Sequence, residues 1–98
     1  MGRYRESYEV IVEYDENFSG KFKEIWGFIA LDSQNRANDF KIQLKKQIEN
    51  IPHFPYKFRK SRWFDNENIR DLIFKGYTIP YLILDDKIVI LDIFKWNK

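Results

Sequence analysis

Cysteine is absent from the sequence and histidine occurs once, as His53. These shortages exclude disulfide scaffolds, thiolate zinc sites, cysteine nucleophiles, metal centres built on several imidazoles and any triad that needs a second histidine. No apolar run approaches the roughly 20 residues that cross a bilayer. Met1-Gly2-Arg3-Tyr4-Arg5 has no apolar stretch of the signal-peptide kind. The expectation is a small cytoplasmic protein with no cofactor and no metal. Its 98 residues are enough for one domain, taken as 1–98, and too few for two cores. What the chain does have is rings: 18% of its residues are aromatic, so aromatic side chains should fill much of the interior.

Charge is unevenly spread. Residues 1–40 carry a net charge of −3, residues 41–62 a net +6, and residues 63–98 a net −1. A basic island of this kind suits nucleic acid or an acidic protein partner. A solvated helix face followed by a charged loop gives the same count, and both readings stay open.

Residues Tyr8 to Tyr14 alternate with period two. Tyr8, Val10, Val12 and Tyr14 share one face and Glu9, Ile11 and Glu13 the other, the pattern of a half-buried strand. Asp15-Glu16-Asn17 then offers acidic and capping groups to a helix start. Phe18, Phe22, Ile25, Trp26 and Ile29 form an amphipathic stripe. Gly20 and Gly27 weaken that helix by about 1 kcal/mol each relative to alanine, unless Gly27 serves a close approach. Ser33 is placed to cap a second helix with the stripe Ala37, Phe40, Leu44, Ile48 and Ile51, which Pro52 stops. The two helices should form an antiparallel hairpin that covers one side of a sheet.

Three strands follow a loop from Pro52 to Asn68: Ile69–Phe74, Tyr77–Leu84 and Lys87–Phe94, turning at Lys75-Gly76 and at Asp85-Asp86. Aspartate tolerates the left-handed conformation that a two-residue hairpin turn favours. The apolar runs Tyr81–Leu84 and Ile88–Leu91 suggest strands covered on both faces. Pro80 removes a ladder donor, so its strand needs a bulge there or an N–H that would have pointed away from a neighbour.

The order of strand, helical hairpin and three-stranded antiparallel meander, with Ile69-Arg70-Asp71-Leu72, Gly76-Tyr77, Tyr81, the Asp85-Asp86 turn and Ile88-Val89-Ile90-Leu91, resembles the RelE/ParE superfamily of toxins from type II toxin–antitoxin modules. It is most similar to the branch labelled ParE-like or plasmid stabilization. The likeness spans about residues 8–96. The family shows an Arg-x-Leu element, a Gly-Tyr entry to a strand, a tyrosine four residues later and an apolar final strand. The resemblance implies an α+β fold of β-α-α-β-β-β order and a growth-inhibiting toxin. It also implies a cognate antitoxin, partly disordered when free, that folds over an apolar groove. In the ParE branch the target is DNA gyrase; in the RelE branch it is the translating ribosome, whose messenger RNA is cleaved by lysines, two arginines and a tyrosine.

The ribonuclease pattern does not carry over. One arginine follows the Gly-Tyr element, where this chain has Thr78; the other lies past the last strand, at Asn97-Lys98; and the tyrosine sits on a tail not found after Lys98. Gyrase is therefore favoured. The alternatives are a ribosome-dependent endoribonuclease and a non-toxic nucleic-acid- or protein-binding relic of the family.

Cleaving RNA without a metal needs a base, an acid and cations on the phosphate. Arg70, Tyr77, Tyr81 and Lys95 are the available side chains, but nothing in their spacing singles out a site. Tyr77 and Tyr81 share a strand face that core packing explains. His53 reads as a helix-terminus or loop residue, and Asp65, Glu67 and Asp71 as turn chemistry and solubility. The strongest signal outside the core is Lys57-Phe58-Arg59-Lys60-Ser61-Arg62-Trp63-Phe64, in which cations for phosphate or carboxylate alternate with rings for stacking or groove filling. Lys57, Arg59, Lys60, Arg62 and Trp63, joined by Lys95, Trp96 and Lys98 at the chain end, are the expected target-binding set. A loop whose rings cover the sheet while its cations stay in water remains the alternative.

Overall fold

The computed structural model describes residues 10–95. The expected Tyr8 and Glu9 of the first strand, and Trp96 and Lys98 of the expected binding set, lie outside the described residues. Strand β1 covers Ile11–Tyr14, helix α1 Glu16–Asp32 and helix α2 Gln34–Asn50, followed by a 3₁₀ turn at Ile51–His53. Strands β2 (Ile69–Phe74), β3 (Tyr77–Ile83), β4 (Lys87–Ile90) and β5 (Phe94–Lys95) complete the α+β chain. The sheet order is β1-β4-β3-β2, with β1 parallel to β4, the other pairs antiparallel, and β5 on the end of β3 beside β4.

Both helices start where the sequence supplies a cap. The Asp15 carboxylate accepts from the Asn17 N–H at 2.8 Å and the Ser33 hydroxyl from the Arg36 N–H at 3.2 Å, satisfying donors that a helix start leaves free. Ser33 also closes α1, its own N–H reaching the Ile29 carbonyl, so one residue ends the first helix and begins the second. That single hinge residue forces the hairpin.

Ring contacts lock the hairpin onto the sheet. Tyr14, Phe18, Phe22 and Phe40 follow one another with centroids 5.4, 5.7 and 6.2 Å apart. Phe40 then meets Phe74 at 5.4 Å and Tyr77 at 5.6 Å. Leu44, Ile48 and Ile51 from α2 and the 3₁₀ turn join Leu72, Ile79, Tyr81, Ile83, Ile88 and Ile90 in one buried cluster. Val12 packs against it while Ile11 is exposed, which is the alternation expected of β1.

Three local expectations change. The left-handed turn is at Lys75-Gly76, with φ of 50° and 85°, the type I′ pattern that matches strand twist. Asp85-Asp86 also closes a two-residue hairpin, the Leu84 N–H reaching the Lys87 carbonyl at 2.9 Å, but neither aspartate has positive φ. The expected third strand, Lys87–Phe94, is split. Tyr81 faces Ile90 and Thr78 faces Phe94, so Leu91-Asp92-Ile93 stands opposite only Ile79-Pro80. This is a bulge, and it falls at the proline. The Asp71 N–H, opposite Pro80, points away from β3 to the Arg59 carbonyl, so β2 asks for no donor from Pro80 either. β4 is also less covered than its apolar run suggests, with Val89 only half-buried.

Gly27 makes no close approach: a Cβ there, or at Gly20, meets nothing within 4 Å. Both glycines therefore weaken α1 without a packing return. Gly20→Ala with Gly27→Ala should raise stability by about 1–2 kcal/mol, read as a higher midpoint in urea with an unchanged m-value.

Candidate target-binding rim

The segment after α2 runs from the helix end to the tip of the sheet, strapped to strand β2. Ile51 is buried and fixes its start. Pro55 occupies the second position of a turn closed by the Lys57 N–H on the Phe54 carbonyl at 3.0 Å. The Tyr81 hydroxyl donates to the Pro55 carbonyl at 2.7 Å, tying this turn to the core. Arg70 holds the next stretch. Its Nη1 donates to the Phe58 carbonyl and its Nε to the Glu67 carbonyl, both at 3.1 Å, while its guanidinium lies 4.8 Å over the Tyr56 ring. The Tyr56 hydroxyl in turn donates to Asn68 Oδ1 at 2.8 Å.

Arg59 to Ser61 then pair with the outer edge of β2. Lys60 bridges Arg70, the Asp71 N–H reaches the Arg59 carbonyl at 3.1 Å, and the Ser61 N–H reaches the Ile69 carbonyl at 2.8 Å. The Asp71 side chain is 0% exposed and fastens this strap from below. Its Oδ2 accepts from the Arg62 backbone N–H at 3.2 Å and from Arg59 Nη2 at 3.4 Å. An aspartate first read as turn chemistry and solubility is thus the clamp of the basic segment. The available signal was an Arg-Asp pair inside the otherwise apolar run Ile-Arg-Asp-Leu-Ile-Phe.

Beyond the clamp, Trp63 turns back over the sheet. Its backbone N–H donates to Ser61 Oγ at 3.1 Å, and its ring meets Phe94 edge-on at 5.3 Å while remaining half exposed. Phe94 faces Thr78, so the pair sits on the sheet face opposite the helices, because neighbours along a strand point to opposite sides and Tyr77 meets Phe40 of α2. Lys95, next to Phe94, extends over the Tyr77 ring at 4.9 Å.

Arg62 and Trp63 thus adjoin Phe94 on the face away from the helices, while Lys95, one residue on, points to the helix face of the same sheet end. Arg59 and Lys60 lie just before Arg62, partly engaged with Asp71 and Asp65, and Lys57 stands apart at the other end of the strap, beside Phe58. Of the catalytic candidates, Lys95 and Tyr77 meet, while Arg70 stands opposite Tyr81, four residues further along β3. Tyr81 is fully buried, and burial pushes its phenol well above the ordinary value near 10, with Arg70 opposing and Asp71 adding to the rise. Tyr77 is half-buried beneath Lys95, and Arg70 is spent on carbonyls. Thr78, at the position of the ribonuclease arginine, is 0% exposed.

A second surface lies between β1, α1 and α2. Tyr14, Phe18, Phe22, Leu44 and Ile48 line a groove of about 230 Å³ whose rim carries Lys41 and Lys45. Tyr14 is held above its ordinary pKa, mainly by burial and also by the Glu49 charge. The helical stripes were legible in the sequence; that they leave this strip uncovered was not. Among the described residues no helix is long and apolar enough to cross a membrane.

Two predictions follow from the strap. Asp71→Ala should cost about 1–3 kcal/mol through lost hydrogen bonds and should speed tryptic cleavage after Arg59, Lys60 and Arg62 in the otherwise folded protein. For Tyr81 the folded pKa is raised, so its contribution is complete below pH 10 and falls as pH rises beyond it, where only the unfolded state ionises. A denaturation series from pH 9 to 11.5 should show this loss. Tyr81→Phe should flatten it while lowering stability near neutrality by about 1 kcal/mol.

The comparisons agree with this architecture. A toxin–antitoxin structure from P. aeruginosa, the chromosomal ParDE system, superposes with a TM-score of 0.72 at 14% identity, covering 93% of this chain and 100% of that one. The conserved hypothetical protein HP0894 from Helicobacter pylori gives 0.52 at 19% identity, covering 88% and 93%. No curated protein matches the chain. The family model described as the ParE toxin of the type II toxin–antitoxin system parDE matches residues 12–96, nearly the whole chain, and the protein belongs to that family.

Proposed function

We propose that this protein is a cytoplasmic toxin that binds DNA gyrase through the sheet end that carries Arg62, Trp63 and Lys95 and is neutralised by a cognate antitoxin seated elsewhere on the molecule. The observation that carries a binding rather than a cleaving mode is the burial of Thr78. The position that holds an arginine in the ribonuclease branch is closed beneath the sheet face, and neither its side chain nor Tyr81 can reach a phosphate. A half-exposed indole with Arg62 next to it in the chain suits a large protein target, because tryptophan and arginine are enriched in binding hot spots.

The groove between the helices supports the antitoxin reading. Its floor is aromatic and aliphatic and its rim carries two lysines, so it fits an amphipathic segment with acidic flanks that orders on binding. The two surfaces draw on different elements: the groove on β1, α1 and α2, the rim on the strap and β5.

Purified protein added to a gyrase supercoiling reaction should inhibit it, while translation of a reporter transcript in a cell-free system continues. Trp63→Ala should weaken inhibition about tenfold or more. Arrested translation with site-specific transcript cleavage, lost on replacing Lys95 or Arg70, would establish the ribonuclease alternative instead. No effect in either reaction and no growth defect on induction would identify an inactive relic.

A further inference from the structure

At the α2 end of the strap, away from Trp63, the rings of Phe54 and Tyr56 are exposed. Phe54 is 69% exposed although it follows Pro52 closely and precedes Pro55, and no core contact explains its ring. It lines two neighbouring hollows, one of about 330 Å³ with Gln47 and Asn50 of α2, the other an open one of about 550 Å³ with Tyr56. His53 and Lys57 line both hollows as well.

The turn makes this arrangement rigid. Pro55 presets the backbone, the Lys57 N–H closes the turn on the Phe54 carbonyl, and the Tyr81 hydroxyl anchors the Pro55 carbonyl from within the core. Phe54 and Lys57, first and last residues of that turn, are thereby held as neighbours. On the Tyr56 side, the Arg70 guanidinium already stacks on the tyrosine ring, which fixes that wall.

From this we infer that the Phe54 turn is a binding site for single-stranded nucleic acid, with bases placed in the two hollows that Phe54 lines and stacked on its exposed ring. The chemistry of the hollows matches the parts of a nucleotide. Exposed rings stack on any base, which gives affinity without sequence preference. The Gln47 and Asn50 amides offer paired donors and acceptors to a base edge, and Lys57 supplies the cation that a backbone phosphate requires. A duplex cannot use the site, because its bases are stacked on each other. The inference stands apart from the identity of the toxin's target, since it uses neither Trp63 nor the groove between the helices.

Fluorescence anisotropy of labelled dT12 and rU12 with the full-length protein tests it, the two oligomers distinguishing DNA from RNA. Binding of either strand is expected, with a 12-base-pair duplex competing poorly. Phe54→Ala should weaken it at least about fivefold, the low end of what one lost stacked base costs. Lys57→Ala should reduce the slope of log affinity against log salt by about 0.7. Phe28→Ala, which removes an equally exposed ring 76% open on α1, should leave binding unchanged. Both ring variants are on the surface, so folding is not at risk. No binding of either oligomer, equal loss in Phe54→Ala and Phe28→Ala, or duplex binding as tight as single-strand binding would each overturn the site.

Discussion

A carboxylate buried inside a strand must be answered by donors, and the way Asp71 is answered sets the course of everything between α2 and β2. Leaving such a group unpaired costs more than a hydrogen bond contributes, so chain that can reach it is drawn to it. Here the reach comes from the Arg62 backbone and the Arg59 side chain, both at Asp71 Oδ2. The same segment covers the outer edge of β2, an otherwise open row of backbone groups that would pair with another chain. One interaction thus protects a sheet edge and carries a basic segment from the helix end to the tip of the sheet.

The bulge in the last strand works with that strap. Pro80 cannot donate, and Leu91-Asp92-Ile93 absorbs the missing pairing by adding one residue. The Leu91 N–H still reaches the Pro80 carbonyl at 2.9 Å, and Ile93 is fully buried, so the bulge is packed rather than frayed. Its consequence is a change of phase. One residue more flips the side chains that follow, which puts Phe94 on the face where Trp63 arrives. A proline in the middle of one strand therefore decides which residue of another can meet the strap.

Much of the fold was legible because its signals are local. Period-two and helical stripes, Asp15 and Ser33 as caps, Pro52 as a stop and Gly76 as a turn residue each act within a few positions, and the helices, β2 and the hairpin turns appear where those signals lie. The bulge was readable as a conflict at Pro80, though not the strand break it causes. The left-handed residue was missed because lysine rarely adopts that conformation; at Lys75 the twist of the β2–β3 hairpin overrides the preference. The site was less legible. Cations and rings along residues 57–64 marked a surface, but Arg59 and Lys60 turn out to be shared with Asp71 and Asp65. Asp71 and the groove residues acquire their surroundings only from partners far along the chain, and no spacing records those.

The strap also explains how one short segment offers two unlike surfaces. Its middle is fixed by β2 edge pairing and by Arg70 and Asp71, so the ends are held apart and cannot act as one flexible basic arm. At one end Lys57 and Phe54 line open hollows; at the other Arg62 adjoins an indole already resting on Phe94. An exposed ring beside open hollows favours stacking with planar groups, whereas a ring backed by another ring favours insertion into a protein pocket. The same residue types, arginine, lysine and aromatics, thereby acquire different chemistry from what lies behind them. A tally of the basic island's charge could not separate the two, because the distinction resides in the backing and not in the composition.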